Sequence, residues 1–329
     1  MPPENQKLSL IWLGARSEPT QILPTAFNLS SASPLSNPPN LSPAAPLPPS
    51  STPAPNCWHG YVDLHYGRQG DRTQIEAVKT RSPLRLQRPF YPEGGAVCHS
   101  VIVHTAGGIV GGDRLDINVT LPAQTQAVIT SAAAQKVYRS AQIPAQQMIH
   151  HQVESGSWLH WFPQETIVFR AAQYQQQLRV DLAPGAHWVG WDLTRFGRSA
   201  GGEVFDQGHW QSQTEVWQGD RPLWIDRQVL AGDAARLHHP HGLNAHAVVG
   251  TLVYLGAAIP DTVITSARQQ GEQTLKATGC DWGVSQLPLG LIARYRGDST
   301  QAARRWFVAV WDAVRQFGQR RSACPPPVW

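Results

Sequence analysis

Short apolar runs separated by turn residues fill the middle of the chain. The runs combine β-branched and aromatic residues and lie at 149–153, 158–162, 166–169, 177–182, 187–193 and 214–217. Turns such as ESGS (154–157) and APGA (183–186) place neighbouring runs roughly 8 to 12 residues apart, a spacing typical of stacked all-β folds. This pattern favours strands over a helical bundle, in which apolar residues recur about every three to four positions.

The composition favours the same fold class. Only 15% of the 329 residues are charged, whereas Gly (28), Pro (27) and Trp (13) are plentiful. We therefore predict a mostly β chain that is long enough to bury a full core. The formal net charge of +4 is not gathered in a basic run or helix, so nucleic acid is not an expected partner. No stretch of about 18 uninterrupted apolar residues occurs, so no membrane span is expected.

The first 56 residues differ in composition from the rest. From 30 to 56 the sequence contains no charged residue and is rich in Pro, Ser and Ala. Such a segment cannot bury enough apolar surface to offset the entropy of ordering it. We therefore predict a disordered leader at 1–56 and a folded domain at 58–329.

The four cysteines, Cys57, Cys98, Cys280 and Cys324, lie far apart and form no C-x2-C pair. A dedicated zinc site is therefore not predicted, and free thiols in a reducing compartment are the simplest interpretation. The apolar run at 8–15 lacks a convincing cleavage site for a signal peptide. These features favour a cytoplasmic location.

The segment VIVHTAGGIVGGDRL (101–115) combines a strand-like run with four glycines and a carboxylate, Asp113. Glycines at this density, at the end of a strand, indicate backbone with positive φ or very close chain approach. One interpretation is a shaped site that presents Asp113. The other is a tight turn between two strands, in which the Asp caps its own backbone.

This glycine segment does not match the two common nucleotide-binding motifs. A Walker loop needs Gly-Lys-Ser/Thr after its glycines, and nothing after Gly112 supplies these residues. A dinucleotide fingerprint needs a long helix after the glycines, whereas 116–121 alternates polar and apolar residues like a strand. The chain is therefore not expected to hydrolyse nucleotides.

Three carboxylates, Asp113, Glu165 and Glu203, flank proline or glycine bends. Two acids at a defined separation would suit glycoside hydrolysis. Carboxylate oxygens could equally bind a divalent cation and pass it on. Turn-capping or surface carboxylates explain the same spacing, so the sequence pattern leaves all three interpretations open.

The densest histidine group comprises His238, His239 and His241, with His246 nearby. Imidazole suits a borderline metal such as nickel, so the first three are candidate metal ligands. Pro240 and Gly242 place the group in a loop, and an exposed histidine-bearing turn is the alternative.

Two helices are predicted from local patterns. Thr130 or Ser131 would cap a short helix near 131–139 that begins with three alanines. An amphipathic helix near 299–317 is predicted from apolar residues that recur on one face, with Asp298 or Ser299 as its cap and Gly318 as its stop. Core packing explains that apolar face most simply, and a partner groove is the alternative.

Six ordered segments resemble motifs of the family of the urease accessory protein UreD, also called UreH. They are LQRPFYPEG (86–94), HTAGGIVGGDRL (104–115), TSAAAQKVYRS (130–140), FPQETIVF (162–169), FGRSAGGEVF (196–205) and RYRGDSTQAARRWFVAVWDAVR (294–315). The resemblance covers 58–329 and leaves the leader outside. The motif residues that we assign a structural role are Gly107, Gly108, Gly111, Gly112, Lys136, Tyr138 and Arg198.

The resemblance implies a non-catalytic chaperone for the dinuclear nickel centre of urease, with a mostly β, helicoid fold and a pair of helices. The implied partners are a UreF-like helical accessory protein, a UreG-like GTPase that carries nickel, and the urease apoprotein. No tightly bound cofactor is implied, only transient Ni²⁺ that passes through an internal tunnel. Asp113 and Glu165 are expected near that path, and Glu203 is a further candidate.

The residue chemistry agrees with this expectation, because carboxylate oxygens hold a divalent ion without the thiolate cage that would prevent its release. The alternative is a carbohydrate-active all-β enzyme that uses Asp113 with Glu165 or Glu203.

The chain departs from the family pattern at three places. His160 stands where members often have an acidic residue, and Gln135 stands where Thr often precedes Lys136. The ending CPPPVW (324–329) lacks the basic residue often found between Pro and Trp. These departures concern the local role of His160 and the docking of the C-terminal segment.

Overall fold

Strands make up most of the folded chain. The structure, a computed structural model, describes residues 57–141 and 143–329, so the leader predicted at 1–56 lies outside it. The strands are β1 (His59–Gln69), β2 (Arg72–Arg81), β3 (Leu84–Leu86), β4 (Val97–His104), β5 (Arg114–Leu121), β6 (Gln126–Ser131), β7 (Gln135–Val137), β8 (Ala145–Val153), β9 (Trp158–Phe162), β10 (Thr166–Val168), β11 (Gln173–Leu182), β12 (His187–Phe196), β13 (His209–Gln218), β14 (Arg221–Ala231), β15 (Val248–Leu255), β16 (Asp281–Leu287) and β17 (Gly290–Gly297). The helices are α1 (Ala234–His238), α2 (Asp261–Leu275) and α3 (Thr300–Gln319), with 3-10 turns at Ser199–Gly201 and Lys276–Thr278. The mostly β prediction is confirmed.

Two large sheets are built from these strands. The seven-stranded sheet has the order β14-β13-β11-β8-β5-β1-β2, and the ten-stranded sheet has the path β16-β17-β15-β12-β9-β6-β4-β3, with β7 and β10 beside it. Strands in the centre of each sheet pair in parallel, whereas the strands at both ends of each sheet pair antiparallel. Parallel neighbours require a long connection, and here that connection runs through the opposite sheet.

The chain therefore winds in coils that lie on top of one another. One coil runs through β5, β6 and β7, and the next runs through β8, β9 and β10 before the chain enters β11 and β12. Corresponding strands of successive coils pair in parallel, including the short strands β7 and β10. The predicted stacked architecture is confirmed.

The turns between the two sheets also lie on top of one another. The amide of Gln124 donates to the carbonyl of Ser155 at 3.1 Å, and the amide of Gly156 donates to the carbonyl of Gly185 at 2.9 Å. Gly156 and Gly185 both have positive φ, 72° and 74°, a conformation that glycine adopts without strain. The turns predicted at 154–157 and 183–186 are confirmed, and their bonding keeps the coils in register.

Two apolar clusters form the core. The first fills the space between the two sheets, and the second lies between the ten-stranded sheet and the helices α2 and α3. On β5, buried and half-buried residues alternate along the strand, as expected for a sheet with one face to solvent. Every residue of β9 is buried, because the ten-stranded sheet is covered on both faces.

Helix α3 confirms the amphipathic helix predicted near 299–317. The hydroxyl of Ser299 accepts a hydrogen bond from the amide of Ala302 at 3.1 Å, so Ser299 is the N-cap. The helix continues past the predicted stop at Gly318 and ends before Arg320, which adopts the left-handed conformation at φ 52°. Among the described residues, no helix is long and apolar enough to cross a membrane.

The short helix predicted near 131–139 is wrong. Ser131 ends β6, and the segment 135–137 forms strand β7. The amide of Ala132 donates to the carbonyl of Ile102 and the amide of Gln135 donates to that of Glu165, both at 2.9 Å. The alanine-rich sequence favours a helix locally, but these bonds to neighbouring coils replace the helical ones, so tertiary pairing overrides propensity.

The C-terminal segment is docked although it lacks the basic residue noted above. The Trp329 ring lies 4.8 Å from the Trp191 ring and 5.9 Å from the Phe162 ring, measured between centroids. Its indole N–H donates to the hydroxyl of Thr130 at 2.9 Å, and the Gln164 amide donates to the carbonyl of Val328 at 2.9 Å. His160, the other departure, is buried and accepts a hydrogen bond at Nδ1 from the Trp311 indole at 3.2 Å.

Candidate functional site

Polar side chains occupy inward positions of the strands that face each other across the first core cluster. Gln176 on β11 and Ser212 and Thr214 on β13 are buried where apolar residues would pack. They border a cavity of about 340 Å³ between the two sheets, the central cavity. Its wall includes His104, Thr130, Gln147, Trp161, Gln164, Gln176, Trp188, Trp191, Asp192, Ser212, Thr214, Asp226, Gln228 and Thr251. Interiors are normally closely packed, so an open space of this size, with polar groups set in a mostly apolar lining, is a candidate site.

Asp192 is the carboxylate at the centre of this polar group. Its Oδ2 accepts hydrogen bonds from the Gln176 amide at 2.9 Å and the Ser212 hydroxyl at 3.0 Å. Burial raises the pKa of Asp192, the charge of Asp226 adds to this effect, and the hydrogen bonds from Ser212, Thr194 and Gln176 oppose it. The partners of this carboxylate are neutral donors, so its negative charge is solvated by dipoles.

Asp226 lines the same cavity in a different electrostatic setting. Its Oδ1 accepts from the Arg294 guanidinium at 2.7 Å, and its Oδ2 accepts from the Gln228 amide at 2.7 Å. The exposed fractions of the Asp226 and Arg294 side chains are 13% and 16%. A second bond from Arg294 to the Thr251 hydroxyl, at 3.0 Å, holds the guanidinium in place. The cavity thus contains one carboxylate paired with a cation and one held by neutral groups.

His104 brings a nitrogen to the cavity wall. It ends β4, and its buried Nε2 has no hydrogen-bond partner among the described residues. Burial lowers the pKa of His104, and the nearby charge of Asp113 opposes that shift. A neutral imidazole with an unused ring nitrogen is the form that binds metal ions. His104 therefore borders the same cavity as Asp192 and Asp226, but the three residues do not gather their donor atoms closely enough to hold one ion together.

Asp113, predicted as a path residue, closes the glycine turn. Its Oδ1 accepts from the backbone amide of Trp58 at 2.9 Å, and its Oδ2 accepts from that of Val110 at 3.0 Å. The residue is only 7% exposed and does not border the central cavity. The contacts match the turn-cap interpretation that the sequence left open.

Glu165 and Glu203 lie at opposite ends of β10, away from Asp113. Glu165 forms an ion pair with Arg304 of α3. Glu203 pairs with the Arg198 guanidinium at 2.7 Å and accepts from the backbone amide of Arg170 at 3.1 Å. Neither carboxylate borders the central cavity. The fold therefore does not gather the three carboxylates, and their role on a nickel path stays a prediction.

The motif glycines have structural explanations. Gly107, Gly108 and Gly112 have φ values of 68°, 155° and 91°, a region that side chains disfavour. A side chain on Gly108 would also collide with the Tyr138 ring, and one on Gly111 with the Ser140 hydroxyl.

The other motif residues surround this turn and the next. The Tyr138 hydroxyl donates to the carbonyl of Gly107 at 3.3 Å. Lys136 is exposed beside the same turn, and its neighbour Gln135 pairs with Thr166 of β10. The Lys136 carbonyl accepts from the amide of Ile109 at 2.8 Å, and Arg198 holds Glu203 as described, so these residues have contacts that shape the two bends.

The histidine group lies on an exposed loop. His238 ends α1, and the rings of His239 and His241 lie 5.3 Å apart between centroids. The Arg296 guanidinium donates to the carbonyls of Pro240 and Gly242, both at 2.6 Å, and so fixes the loop backbone. The three side chains are exposed, and metal ligation by them stays a prediction.

Sequence reasoning missed Asp192, Asp226 and His104. The sequence does contain one indication of Asp192, because this charged residue interrupts the apolar run at 187–193 at an inward position. Asp226 and His104 lie in segments whose facing direction depends on which strands pair. Only the fold shows that these three residues share a cavity.

Comparison with known proteins identifies relatives over the folded region. The model of the family described as UreD urease accessory protein matches residues 59–329. A protein named urease accessory protein UreD from Acaryochloris marina (strain MBIC 11017) is 52% identical over 272 residues, which cover 83% of this chain and 95% of the relative. Proteins of the same name from Trichormus variabilis and Synechocystis sp. PCC 6803 are 51% and 38% identical, over 83% and 78% of this chain and 96% and 95% of the relatives. The similarity therefore covers nearly the full length of each relative.

Proposed function

The chain belongs to the UreD family of urease accessory proteins, and we propose that it carries Ni²⁺ through its central cavity to the urease apoprotein. Its relatives are named accessory proteins and not enzymes, which agrees with a chaperone in urease maturation. The observation that supports nickel passage is that Asp192, Asp226 and His104 border one cavity between the sheets at separate points, as a series of weak sites would.

The electrostatics of the cavity suit a transient cargo. Because burial raises the pKa of Asp192, a proton competes with the metal ion for the carboxylate, and the competition limits how tightly the ion is held. The Arg294 guanidinium neutralises Asp226, which weakens attraction of a cation there. Oxygen-rich sites of moderate strength let an ion enter and leave, as a conduit requires.

The partners that we propose are those implied by the family resemblance. They are a UreF-like helical accessory protein, a UreG-like GTPase that supplies the nickel, and the urease apoprotein, and the proposed location is the cytoplasm. The chain itself carries neither of the nucleotide motifs considered above, so GTP hydrolysis is assigned to the partner. The carbohydrate-active alternative gains no support, because Asp113, Glu165 and Glu203 are separately engaged in structural contacts.

Asp192→Asn tests the proposal, because it keeps the shape of the side chain and removes its charge. Urease apoprotein would be activated in the presence of the accessory proteins and either the unchanged chain or the variant, and its nickel content and activity would be measured. Asp220→Asn is the matched control, since Asp220 is exposed in the turn between β13 and β14.

We expect Asp192→Asn to bind the urease apoprotein normally but to lower the nickel content of urease severalfold. The control should match the unchanged chain. Full nickel loading with Asp192→Asn, and also with the double variant that carries Asp192→Asn and Asp226→Asn, would show that the ion does not use this cavity. Full activation without the chain would refute the chaperone function as a whole.

A further inference from the structure

Three side chains with different donor atoms meet at a second place, apart from the central cavity. Glu93 precedes β4, His99 lies on β4, and Cys324 follows α3. Each can offer one ligand atom, and these atoms all lie within 4.8 Å of one another. We propose that Glu93, His99 and Cys324 bind a divalent transition-metal ion of the Zn²⁺ type. Spacing along the chain does not indicate this site, because the cysteine lies far from the other two residues.

The donor set fits such an ion. A thiolate, an imidazole and a carboxylate are the ligand types that Zn²⁺ takes in proteins, and three protein ligands leave a fourth position for water. The cluster is partly shielded from solvent, since the exposed fractions of the His99 and Glu93 side chains are 1% and 10%. A partly dehydrated, mixed N, O and S site binds this class of ion more readily than it binds Mg²⁺ or Ca²⁺.

His99 supplies a second, independent observation. Its Nε2 lies 2.8 Å from Oε1 of Glu93, and its buried Nδ1 has no hydrogen-bond partner among the described residues. When Nε2 donates to the carboxylate, the neutral ring carries an unused lone pair on Nδ1. Because the two ring nitrogens point in divergent directions, an ion bound by both His99 and Glu93 must be bound through Nε2, in place of the proton that His99 shares with Glu93. Nδ1 then carries the remaining ring proton.

Arg315 is the cation that faces this cluster. Its Nη2 donates to Oε2 of Glu93 at 2.5 Å, and its side chain is fully buried. Burial alone would raise the pKa of Glu93, but the hydrogen bonds from His99 and Arg315 and the charge of Arg315 lower it overall. Glu93 is therefore ionised at neutral pH, and Arg315 fixes its orientation. Because Arg315 offsets the charge of Glu93, the Cys324 thiolate supplies the negative charge that most favours a divalent ion at this site.

The Cys324 sulfur binds a metal ion as the thiolate, so binding at this site releases the proton of the thiol.

A bound ion would fasten the segment after α3 to strand β4. That segment ends in Trp329, whose ring packs against Trp191 and whose indole N–H bonds to Thr130. Trp191 and Thr130 both border the central cavity. The metal site would thus hold in place the segment that backs one wall of the cavity, and this role does not depend on nickel passage.

Zn²⁺ binding to the metal-free, full-length chain tests the site directly. We would measure bound Zn²⁺ by equilibrium dialysis, and thiol protection by alkylation followed by mass spectrometry of tryptic peptides. Arg321 and Lys276 place Cys324 and Cys280 in different peptides, so the two thiols are measured separately. We expect Zn²⁺ to slow alkylation of Cys324 at least about tenfold and to leave Cys280 unchanged. Equal alkylation of Cys324 with and without Zn²⁺ would overturn the proposal.

Two variants separate ligation from general stability. Cys324→Ser removes the sulfur and should weaken Zn²⁺ binding by about 10- to 100-fold. The matched control, Cys280→Ser, removes another half-buried free thiol and should bind like the unchanged chain. Zn²⁺ should also raise the melting temperature of the unchanged chain but not that of Cys324→Ser. Retention of full Zn²⁺ affinity by Cys324→Ser would also overturn the proposal.

Discussion

Glu165 and Arg304 form an ion pair across 139 positions of sequence, joining the start of β10 to helix α3. Each side chain is 19% exposed. A pair this far from bulk water is screened less than a surface pair, and breaking it leaves one charge without its partner. The pair therefore fastens the helical layer to the ten-stranded sheet.

Glu165→Ala should lower the free energy of unfolding by about 1–3 kcal/mol, because it leaves Arg304 unpaired in a half-buried place. Urea unfolding of Glu165→Ala, Arg304→Ala and the double variant gives the coupling energy between the two residues. We expect a coupling of about 1 kcal/mol or more. A coupling near zero, combined with lost nickel loading in Glu165→Ala, would instead favour the path role predicted from the sequence.

Asp113→Ala should destabilise the chain by about 1–2 kcal/mol, because the backbone amides of Trp58 and Val110 lose their acceptor. Denaturant unfolding at neutral pH measures this change. Asp71→Ala is a suitable control, since Asp71 lies exposed in the turn between β1 and β2. If Asp113→Ala had the same free energy of unfolding as the unchanged chain, the carboxylate would not stabilise the turn.

Asp192→Asn should raise the melting temperature at pH 7. Burial raises the pKa of Asp192 in the folded chain, so the unfolded chain loses this proton at a lower pH than the folded chain does. Between the two pKa values the folded state binds more protons, and stability falls as the pH rises through that window. Asn removes this cost, so the difference in melting temperature between variant and unchanged chain should grow from about pH 4 upwards.

Calorimetry from pH 4 to pH 8 measures this difference. A lower melting temperature for Asp192→Asn at pH 7 would mean that the hydrogen bonds of the ionised carboxylate outweigh its desolvation. The expected pattern, a more stable chain that loads less nickel, is the trade-off typical of functional charges.

His151 should make the chain less stable in mild acid. It is fully buried, and burial lowers its pKa to about 3, with the charge of His150 adding to the shift. The unfolded chain takes up this proton near pH 6.5, whereas the folded chain does so only near the lowered value, so stability falls as the pH falls between them.

His151→Gln should remove about 1.4 kcal/mol per pH unit of this dependence, the value for one proton. Gln keeps an acceptor for the Trp188 indole, which donates to His151 Nδ1 at 3.3 Å. Urea unfolding at several pH values between 4.5 and 6 measures the slope, and His241→Gln on the exposed loop is the control. Equal slopes for His151→Gln and the unchanged chain would show that His151 is protonated in the folded state.

The strands and α3 could be predicted because their burial follows simple periods. Helix α2 was missed for a physical reason: its buried face includes Ala267 and Gly271, small residues that give little apolar periodicity. The helix expected near 131–139 failed because pairing with neighbouring coils replaced its local bonds.

The candidate site was harder to predict than the fold. Asp113, Glu165 and Glu203 were identifiable as residues at bends, but their contacts depend on amides and guanidinium groups from distant segments. Asp192 and Asp226 meet only because β12 and β14 lie in different sheets that face each other. Spacing along one strand carries no information about the opposite sheet, so sequence patterns alone could not assemble this cavity.

The outermost strand at each edge of the seven-stranded sheet runs antiparallel to its neighbour. β2 pairs with β1 at one edge and β14 pairs with β13 at the other, and each of these hairpins contains a bulge. An edge strand exposes unpaired backbone N–H and C=O groups, and a strand of another copy could pair with them. The bulges and the arginines of β14 make such pairing between copies unfavourable. These two edge strands, 10 and 11 residues long, therefore disfavour the addition of further copies at the edges of the seven-stranded sheet.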